Sequence, residues 1–407
     1  MHVLDELEWR GFIKQCSDLA ALREAMDKGP VTVYCGFDPT ASSLHVGNMV
    51  PALVLAHLQR AGHRVVAVVG GGTGMVGDPS GKTEARMLLT PEVIQGNLEA
   101  QQRQLSRFLD FSSPDRGLMV NNADWLLGLG YIDFLREIGS CFSVNKMLTA
   151  EGYRQRMEKG LSFLEFNYQL LQAYDFLVLN QKYGCTLQIG GDDQWGNILA
   201  GVDLIRRKQA SQAFALTQPL LLTSSGQKMG KTHAGAVWID ANRMSPFDFF
   251  QYWVNTDDRD VVRFLKLYTF LSAERIAELE QLQGADIRLA KGVLAWEITA
   301  LLHGEAAANE ARDAAVAMVA GAATDDLPTF SVAEDALQLG MPIFAILADS
   351  GIAKSRSEGR RLIQGGAVRV GNDKVSDPDA VLRSEQVDAS GIVVRVGKKH
   401  AVRVVRS

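Results

Sequence analysis

The segment Arg64–Val69 (Arg-Val-Val-Ala-Val-Val) constrains the fold of this chain more than any other feature. A short uninterrupted apolar run is typical of a strand buried on both faces of a parallel sheet. Similar strands are predicted at 31–35, 117–121, 185–189 and 217–222, and helical periodicity occurs at 46–61, 91–109, 131–140, 163–179 and 194–208. Strands that alternate with helices predict a doubly wound, Rossmann-like α/β domain with a parallel sheet over residues 1–225.

The pattern changes beyond residue 245. Segments 246–254, 258–270, 273–283 and 286–303 have helical periodicity, and 304–328 is rich in alanine. A short basic helix at 355–364 and several valine-rich strands follow. We therefore expect five parts: the α/β domain at 1–225, a connecting loop at 226–244, an α-helical domain at 245–325, a linker at 326–338 and a small α+β domain at 339–407.

Charge is distributed unevenly along the 407 residues. The net charge is −5, but residues 351–407 contain twelve Lys and Arg against six Asp and Glu, so this end carries +6 and the remainder −11. A basic end on an acidic body predicts a polyanionic partner such as a nucleic acid. A basic tail that is merely solvated explains the charge by itself equally well.

Composition excludes several classes of protein. The chain is 47% hydrophobic and 22% charged, as in an ordinary globular protein, and no apolar run is long enough to span a membrane. Its acidic amino terminus predicts no export signal. Cys16, Cys35, Cys141 and Cys185 are scattered without a metal-ligand spacing. We expect free thiols, no protein-bound metal and a cytoplasmic location.

The loop after the first predicted strand concentrates polar residues at the carboxyl end of a strand, where parallel sheets bind ligands. Asp38, Thr40, His45 and Asn48 lie within eleven residues. His45 and Asn48 are three apart at a helix start, so they point the same way and add donors to a site that favours anions. Gly47 lets a nucleotide approach the backbone. Taken alone, a capped helix with a solvent-exposed histidine explains this pattern better.

Residues 72–77 match the GxGxxG fingerprint of dinucleotide sites, but their context differs. Asp78 follows directly and would repel a pyrophosphate, and no second strand ends in an acidic residue about twenty residues later. Gly81-Lys82-Thr83 does not complete a P-loop, because Val76 stands where that motif has glycine. We expect these glycines to let the chain wrap a small substrate, with Asp78 facing it.

Residues 224–233 form a second polar loop, in which Lys228 and Lys231 bracket Gly230. Mobile lysines suit phosphoryl or nucleotidyl transfer, because catalysis there consists mainly of positioning and charge stabilisation. By itself this segment is better explained as a solvated turn. In combination with His45 and Asn48, it predicts the second half of one ATP site.

A polar stripe marks the predicted helix 163–179. Tyr168, Gln172 and Asp175 project from one face, and the surrounding residues are largely apolar, which predicts a buried helix. Buried polar groups need partners in the protein or on a ligand. An amino acid would place its ammonium group by Tyr168, Gln172 and Asp78 and a polar side chain by Asp175. A polar network internal to the core is the alternative.

The segment after strand 185–189 begins with paired glycines and two aspartates at 190–193. Glycine at a strand's carboxyl end permits close approach of a ribose, and a nearby carboxylate accepts its hydroxyl hydrogens. Asp193 is the candidate for that role.

Five motifs in order resemble the bacterial-type tyrosyl-tRNA synthetases, which are class I aminoacyl-tRNA synthetases. They are Tyr-Cys-Gly-Phe-Asp-Pro-Thr at 34–40 with Leu-His-Val-Gly-Asn at 44–48, Val-Gly-Asp-Pro-Ser-Gly-Lys at 76–82, Leu-Leu-Gln-Ala-Tyr-Asp-Phe at 170–176, Gln-Ile-Gly-Gly-Asp-Asp-Gln-Trp-Gly-Asn at 188–197, and Lys-Met-Gly-Lys-Thr at 228–232. The resemblance covers 31–260 and resumes in an S4-like RNA-binding end at 340–407. The family signatures HIGH and KMSKS are inexact here, because Asn48 replaces a histidine and Gly230 a serine.

The resemblance implies a tyrosine–tRNA ligase that activates L-tyrosine with ATP and Mg²⁺, charges the 3′ end of tRNA(Tyr), and forms a homodimer. It implies a KMSKS-type loop within 226–244 and an S4-like RNA-binding domain at 339–407. The implied tyrosine site is Tyr34, Asp78, Tyr168, Gln172, Asp175 and Gln194; the implied ATP site is Gly36, Asp38, His45, Gly47, Asn48, Gly191, Asp193, Lys228 and Lys231. The implied catalytic residues are Thr40, His45, Asn48, Lys82, Arg86, Lys228, Lys231 and Thr232, and the RNA-binding residues are Lys354, Arg356, Arg360 and Arg361.

Two alternatives stay open. Tryptophanyl-tRNA synthetases share the fold and the signatures. A buried Tyr34–Asp175 pair favours tyrosine, because phenylalanine would leave both groups unpaired, a mechanism for which this enzyme family is the standard example. The second alternative is an RNA-binding protein with a vestigial catalytic site, which the presence of His45 and both lysines disfavours.

Overall fold

The computed structural model of the chain describes residues 1–80, 89–158, 160–224, 226, 229–232, 235–320, 327–371, 373–388, 390–397 and 400–407, with the backbone alone at 151, 155, 231, 232, 319 and 320. These residues form two compact units. The first comprises Met1–Ser245 and Tyr252–Gly304, and the second comprises Pro246–Gln251 and Glu305–Ser407. The predicted domain boundaries stay predictions.

A six-stranded sheet forms the centre of the first unit. Its strands are β1 (Gln15–Cys16), β2 (Thr32–Phe37), β3 (Arg64–Val69), β4 (Gly117–Asn121), β5 (Cys185–Gly191) and β6 (Phe214–Gln218), in the spatial order β1-β6-β5-β2-β3-β4. The strands from β6 to β4 are parallel, and β1 pairs antiparallel with β6. The chain winds outwards from β2 to β4 and then returns to β5 and β6. The winding direction therefore reverses between β2 and β5, which is where doubly wound sheets bind ligands.

Helices connect these strands and complete the first unit. They are α1 (Val3–Arg10), α2 (Leu19–Lys28), α3 (Val46–Arg60), α4 (Pro91–Leu105), α5 (Ala123–Leu126), α6 (Tyr131–Glu137), α7 (Val144–Leu148), α8 (Glu151–Met157), α9 (Phe163–Phe166), α10 (Tyr168–Tyr183), α11 (Trp195–Gln209), α12 (Pro246–Val254), α13 (Val261–Tyr268), α14 (Ala273–Glu280) and α15 (Ile287–His303). A hairpin of β7 (Lys231–Thr232) and β8 (Gly235–Ala236) precedes α12, whose residues are divided between the two units. Single 3₁₀ turns lie at Thr73–Met75, Gly139–Cys141, Asp192–Gln194, Asp258–Asp260 and Gly284–Asp286.

Helices α10 and α11 cover one face of the sheet. Their side chains Phe176, Leu177 and Leu204 share a core with Val66 and Val68 of β3. The predicted doubly wound α/β class is confirmed, and most element ends lie within a few residues of the predicted ones. Two details differ. The last strand ends at Gln218 rather than 222, since Pro219 has no N–H to donate to the ladder. The helix predicted at 163–179 is two helices, because α9 ends at Phe166 and α10 begins at Tyr168.

The second unit is built around a five-stranded sheet and several short helices. Its elements are α16 (Glu305–Ala320), β9 (Thr329–Val332), α17 (Glu334–Leu339), β10 (Met341–Pro342), α18 (Ile343–Asp349), α19 (Arg356–Gln364), β11 (Val368–Val370), β12 (Asp373–Val375), β13 (Val381–Leu382), a 3₁₀ turn at Ser384–Gln386, β14 (Ile392–Val396) and β15 (His400–Arg406). The sheet order is β12-β11-β14-β15-β9, and a core including Ile346, Ile363 and Val394 stabilises it. Within the part of the chain that the structure describes, no helix is long and apolar enough to cross a membrane.

Candidate active site

Tyr34 and Asp175 are the most deeply buried of the predicted site residues. Tyr34 lies on β2, is 1% exposed, and packs its ring against Phe176 with 5.1 Å between ring centroids. Its hydroxyl has no hydrogen-bond partner among the described residues. Burial, together with the nearby carboxylate of Asp175, raises the pKa of Tyr34 well above its ordinary value. A buried hydroxyl without a partner is unfavourable, so this atom points to a polar group on a ligand.

Asp175 on α10 is held by two donors that the sequence analysis did not identify. Trp125 Nε1 donates to Oδ1 at 2.7 Å, and Asn122 Nδ2 donates to Oδ2 at 2.9 Å. Burial raises the pKa of Asp175 to about 7, although the two donated hydrogen bonds lower it in part. The carboxylate is therefore fixed in orientation and titrates close to neutral pH.

A second group of hydrogen bonds connects Asp38 to the same region. Tyr168 donates its hydroxyl hydrogen to Asp38 Oδ2 at 2.9 Å, and Thr73 Oγ1 donates to Asp38 Oδ1 at 2.9 Å. Asn122 in turn donates to Thr73 Oγ1 at 2.9 Å. Asp38, predicted as an ATP residue, thus orients Tyr168, and it belongs to the same network as Asp175. The oxygen of Tyr168 keeps a lone pair that can accept from an ammonium group.

Asp78 and Gln194 form a third cluster. Gln194 Nε2 donates to Asp78 Oδ2 at 2.6 Å, and Ser80 N donates to Oδ1 at 2.9 Å. Asn197 Nδ2 lies within hydrogen-bond distance of three acceptors: Ser80 Oγ at 3.2 Å, Gln172 Oε1 at 3.1 Å and Gln194 Oε1 at 3.3 Å. Asp78, Gln172 and Gln194, far apart in sequence, therefore meet as predicted, around an asparagine that the prediction missed.

Gln188 adds a further unsatisfied polar atom beside Tyr34. The two residues are register partners on β5 and β2, so their side chains lie on the same face of the sheet. Gln188 is 2% exposed, and its Oε1 has no hydrogen-bond partner among the described residues. Tyr34 and Gln188 thus place two unsatisfied polar atoms next to the two networks.

His45 and Asn48 lie at the start of α3, where they first cap the helix. His45 Nδ1 accepts a hydrogen bond from Gly47 N at 3.0 Å, and His45 N donates to Asn48 Oδ1 at 3.1 Å, which completes a capping box. Because Nδ1 is an acceptor, the neutral ring carries its proton on Nε2. His45 Nε2–H and the Asn48 amide are donors of the kind suited to a phosphate.

The segment after the second signature pairs with the segment that precedes α3. Val46 N donates to Val237 O at 3.0 Å, and Ile239 N donates to Leu44 O at 3.1 Å, around an antiparallel bridge between His45 and Trp238. Val237 N also donates to Gly230 O at 2.8 Å. The two predicted half-sites are therefore joined by backbone hydrogen bonds.

Gly230 shows why glycine stands where the family signature has serine. Its φ is +81°, a left-handed conformation, and a Cβ there would lie 2.8 Å from Val46 Cγ2 and 3.2 Å from Gly47 N. A Cβ on Gly47 would lie 2.8 Å from His45 Cε1 and 3.4 Å from Met229 O. Because neither glycine carries a Cβ, the two segments can approach each other closely, and Gly230 permits this contact.

The carboxyl end of β5 supplies the predicted ribose side of the site. A Cβ on Gly191 would lie 2.6 Å from Asp193 Oδ1 and 3.6 Å from Leu220 Cδ2, so the strand end, the carboxylate and an exposed leucine are adjacent. On β2, Gly36 is exposed, and among the described residues no atom lies within 4 Å of its Cβ position. Asp192 instead accepts from Gln15 Nε2 and Thr217 Oγ1 and fastens β1 to the sheet.

The glycines at 70–72 lie close to protein side chains. A Cβ at Gly70 would overlap Asp38 and Thr73, one at Gly71 would overlap Asn121, and one at Gly72 would lie 2.9 Å from Leu126. These glycines allow protein side chains to pack against the backbone next to Thr73 and Asp38. The expectation that the glycines of 72–77 wrap a small substrate stays a prediction.

Several predicted catalytic residues cannot be placed. Lys82, Arg86 and Lys228 lie outside the described residues, and Lys231 and Thr232 are described by their backbone in β7 only. Thr40 is exposed, and its N–H donates to Asp38 O at 2.8 Å. In the described ranges, no three His, Cys, Asp or Glu side chains lie close enough together to hold a metal ion.

The predicted RNA-binding residues lie on or next to α19. Arg356 forms an ion pair with Asp349 at 3.5 Å, and Arg360 pairs with Asp379 at 3.3 Å while lying over the ring of Phe344 at 4.1 Å. These two cations are thus partly neutralised within the unit. For Lys354 and Arg361 no such acidic partner is found among the described residues, which makes them the stronger candidates for phosphate contacts.

Three of the network residues that were not predicted share a signal in the sequence. Asn122 and Trp125 follow β4, and Thr73 follows β3, so each lies just past the carboxyl end of a parallel strand. The rule that placed Asp38 and Asp193 at the site applies equally to these residues. Ser80 and Asn197 carry no such signal, because each meets the site through contacts between distant segments.

The chain is similar to known proteins along its whole length. Residues 26–320 match the family described as tRNA synthetases class I (W and Y), and residues 319–404 match the C-terminal domain described as tyrosine–tRNA ligase SYY-like. The chain is 52% identical over 407 residues to a tyrosine–tRNA ligase of Clostridium botulinum, covering 100% of this chain and 99% of that protein.

Solved structures agree with these sequence matches. The C-terminally truncated mitochondrial tyrosyl-tRNA synthetase of Aspergillus nidulans superposes with a TM-score of 0.69 at 32% identity, covering 76% of this chain and 92% of that one. A tryptophan-bound tryptophanyl-tRNA synthetase of Encephalitozoon cuniculi superposes with a TM-score of 0.57 at 12% identity, covering 76% and 87%. The second likeness concerns the fold alone, so fold does not separate the two amino acids.

Proposed function

The chain belongs to the class I tRNA synthetases and, within them, to the tyrosine–tRNA ligases. We propose that the site between β2 and β5 carries out the reactions of such a ligase. The enzyme activates L-tyrosine with ATP to tyrosyl-adenylate and transfers the tyrosyl group to tRNA. The observation that carries the assignment of the site is the pairing of an unsatisfied Tyr34 hydroxyl with the fixed carboxylate of Asp175.

Tyrosine specificity follows from the end of the pocket that these two residues form. A substrate phenol donates its hydrogen to Asp175 and accepts from Tyr34, which supplies the partner that Tyr34 lacks. Phenylalanine would fill the same volume but leave the Tyr34 hydroxyl without a partner and give Asp175 no donor beyond Trp125 and Asn122. The indole of tryptophan offers a donor but no acceptor, so it satisfies Asp175 and leaves the Tyr34 hydroxyl unpaired.

The opposite end of the amino acid meets the other two networks. In our proposal, the substrate ammonium group is bound by the hydroxyl oxygen of Tyr168, the carboxylate of Asp78 and the amide oxygen of Gln172. Gln194 Nε2 donates one hydrogen to Asp78, and we propose that its second N–H donates to the substrate carboxylate. These groups hold the carboxylate in place for attack, and positioning of this kind removes much of the entropic barrier.

Activation is an in-line displacement at phosphorus. An oxygen of the tyrosine carboxylate forms a bond with the α-phosphorus of ATP, the bond to the bridging oxygen breaks, and pyrophosphate leaves with both electrons. His45 Nε2–H, the Asn48 amide and Thr40 donate to phosphate oxygens whose negative charge increases in the transition state. We assign Lys82, Arg86, Lys228, Lys231 and Thr232 to pyrophosphate and the tRNA end from their sequence motifs.

The ribose and base of ATP are assigned to the β5 side. Asp193 accepts from the ribose hydroxyls over the Cβ-free surface of Gly191 and Gly36, while Gly47 gives access to the backbone of α3. Leu220, exposed beside Gly191, offers an apolar surface to the base. In transfer, a ribose hydroxyl at the 3′ end of tRNA attacks the tyrosyl carbonyl, and AMP leaves.

We propose that Mg²⁺ enters with ATP rather than on a protein site. The carboxylates of the site accept hydrogen bonds from neighbouring side chains or backbone, as Asp175, Asp38 and Asp78 do. Such carboxylates fit polar organic groups better than the octahedral oxygen shell that Mg²⁺ prefers. When bound with ATP, the ion neutralises charge on the phosphates.

Tyrosine-dependent exchange of labelled pyrophosphate into ATP tests the function. We expect exchange with tyrosine, and at least about a hundredfold lower kcat/KM with phenylalanine or tryptophan, since each leaves buried polar groups unpaired. Exchange driven by tryptophan alone would exclude the tyrosine assignment. No exchange with any amino acid, with tRNA binding retained, would indicate an RNA-binding protein with a vestigial site.

We also propose a homodimer. Leu127, Tyr131, Ile132, Val144 and Phe163 are large apolar side chains, each more than half exposed, and they come from one stretch of the first unit between α5 and α9. Exposed apolar clusters of this kind mark association surfaces. Sedimentation should show a dimer that Ile132→Asp dissociates, whereas Leu289→Asp, at an equally exposed leucine of α15, leaves it intact.

A cytoplasmic location is the last part of the proposal. The four cysteines are unpaired thiols, and burial raises the pKa of Cys35 to about 12, so that thiol stays protonated. Free, unreactive cysteines suit a reducing compartment. Cell fractionation with an antibody to the chain checks this assignment.

A further inference from the structure

Trp238 and Arg243 form a stack beside the ring of His45. The ring centroids of His45 and Trp238 are 6.4 Å apart with an interplanar angle of 56°, within the range in which aromatic rings attract one another. The guanidinium of Arg243 lies 3.7 Å from the centroid of the indole. Arg243 Nη1 also donates to Ser42 Oγ at 3.3 Å, so the stack is tied to the loop before α3.

Backbone pairing fixes Trp238 in this place. It bridges His45 directly, and the residues on either side of it exchange hydrogen bonds with Leu44 and Val46. The same segment accepts or donates further bonds through Val237, whose N–H is bonded to Gly230 O. The backbone on either side of Trp238 is therefore bonded both to the segment of the first signature and, through Val237, to Gly230 of the second.

We propose that Trp238, supported by Arg243, is a positioning residue that holds the imidazole of His45 in its catalytic orientation. The inference rests on the proposed role of His45 in stabilising the phosphates. The bond from Gly47 N to Nδ1 restrains the imidazole from within its own helix start. The indole adds a restraint from another segment, and donors aimed in advance stabilise a transition state most.

Loss of the indole should lower kcat without changing KM for tyrosine. Trp238→Ala should lower kcat of pyrophosphate exchange about tenfold, the size expected for loss of one aromatic contact. KM for tyrosine should stay unchanged, because the tyrosine networks do not include Trp238. Trp238→Phe should restore most of kcat, and Arg243→Ala should give a smaller loss than Trp238→Ala.

Trp9 provides a matched control. It is also half-buried, and cations lie near its ring, with Arg10 at 5.3 Å and Lys266 at 5.2 Å. It belongs to α1, and within the described part of the chain no hydrogen bond, ion pair or ring contact joins it to a proposed site residue. Trp9→Ala should leave kcat unchanged. If the Trp9 and Trp238 variants lost kcat equally, the loss would reflect general destabilisation of the protein, and the proposal would be overturned.

A double-mutant cycle identifies the residue through which Trp238 acts. If it positions His45, then Trp238→Ala causes no further loss of kcat in a His45→Ala background, although it does so in a Lys231→Ala background. Undiminished loss in the His45→Ala background would overturn the proposal. Tyrosine-dependent exchange by the wild-type chain, measured in the same series, reports on the proposed function independently of any Trp238 variant.

Discussion

At the scale of single residues, the site depends on buried polar groups whose ionisation differs from that in water. Asp175 is 4% exposed, and burial raises its pKa to about 7, above the ordinary value for a carboxyl group. The folded protein therefore holds this proton more firmly than the unfolded chain does. Its contribution to stability is present at low pH and is lost as pH rises through the folded pKa. In our proposal, substrate recognition uses this carboxylate, whose burial makes the empty folded state less stable at high pH.

Tyrosine binding should depend on pH through Asp175. The ionised carboxylate accepts the phenol hydrogen, so KM for tyrosine should fall as pH rises from 6 to 8. Trp125→Phe removes a donor that lowers the pKa of Asp175, so the midpoint of this profile should move to higher pH. Steady-state exchange kinetics across this range check it, with Trp9→Phe as the control. A midpoint that moved to lower pH would contradict the assignment of Asp175.

Gly230 allows a second test at this scale. Gly230→Ser places a Cβ against Val46 in a left-handed conformation, which costs on the order of 1–3 kcal/mol. We expect kcat of exchange to fall about tenfold or more, since the catalytic loop must shift. Gly226→Ser is the matched control, because φ is +80° there but no atom of the described residues lies within 4 Å of the added Cβ. Equal effects of the two variants would argue against the contact.

At the scale of elements, the first turn of α3 combines two roles in the same residues. The capping box satisfies orphan N–H groups, and in our proposal the same two side chains also donate to the phosphates. The paired segments 44–46 and 237–239 attach a loop to this turn. Stability of the helix start and geometry of the site are therefore coupled.

Two substitutions at Asn48 should separate these roles. Asn48→Ala removes the acceptor for His45 N, so thermal denaturation should show a loss of about 1 kcal/mol. Asn48→Asp keeps that acceptor and suits a helix amino terminus, so stability should be retained, but its charge repels the triphosphate and KM for ATP should rise. If Asn48→Asp bound ATP normally, Asn48 would not face the phosphates.

At the scale of the whole molecule, the chain is divided into a unit that holds the amino-acid site and a unit that carries the basic end. Two arginines of α19 are paired with acidic residues, which narrows the RNA-facing candidates to Lys354 and Arg361. The polyanion expected from the charge distribution is, in our proposal, the tRNA.

Charge reversal should separate tRNA charging from activation. The double variant Lys354→Glu with Arg361→Glu should raise KM for tRNA at least about tenfold and weaken its salt dependence, because cation–phosphate contacts are lost. Tyrosine-dependent pyrophosphate exchange should not change, since these residues lie in the second unit. Arg275→Glu, on the surface of α14, is the control. Charging that withstands the double variant would refute these contacts.

The doubly wound fold could be predicted from the amino-acid sequence, because buried parallel strands such as Arg64–Val69 and the helices between them are encoded locally by periodicity. Asp78, Tyr168, Gln172 and Asp175 could be predicted as site residues in the same way, since strand ends and a polar stripe on a buried helix are local signals. Pairing between segments could not be predicted and became visible only in the tertiary structure. Asn122 and Trp125 orient Asp175, Asp38 joins Tyr168, and Gly230 packs on Val46 through contacts between residues far apart in the chain. No periodicity encodes such contacts, because they exist only once separate elements have packed.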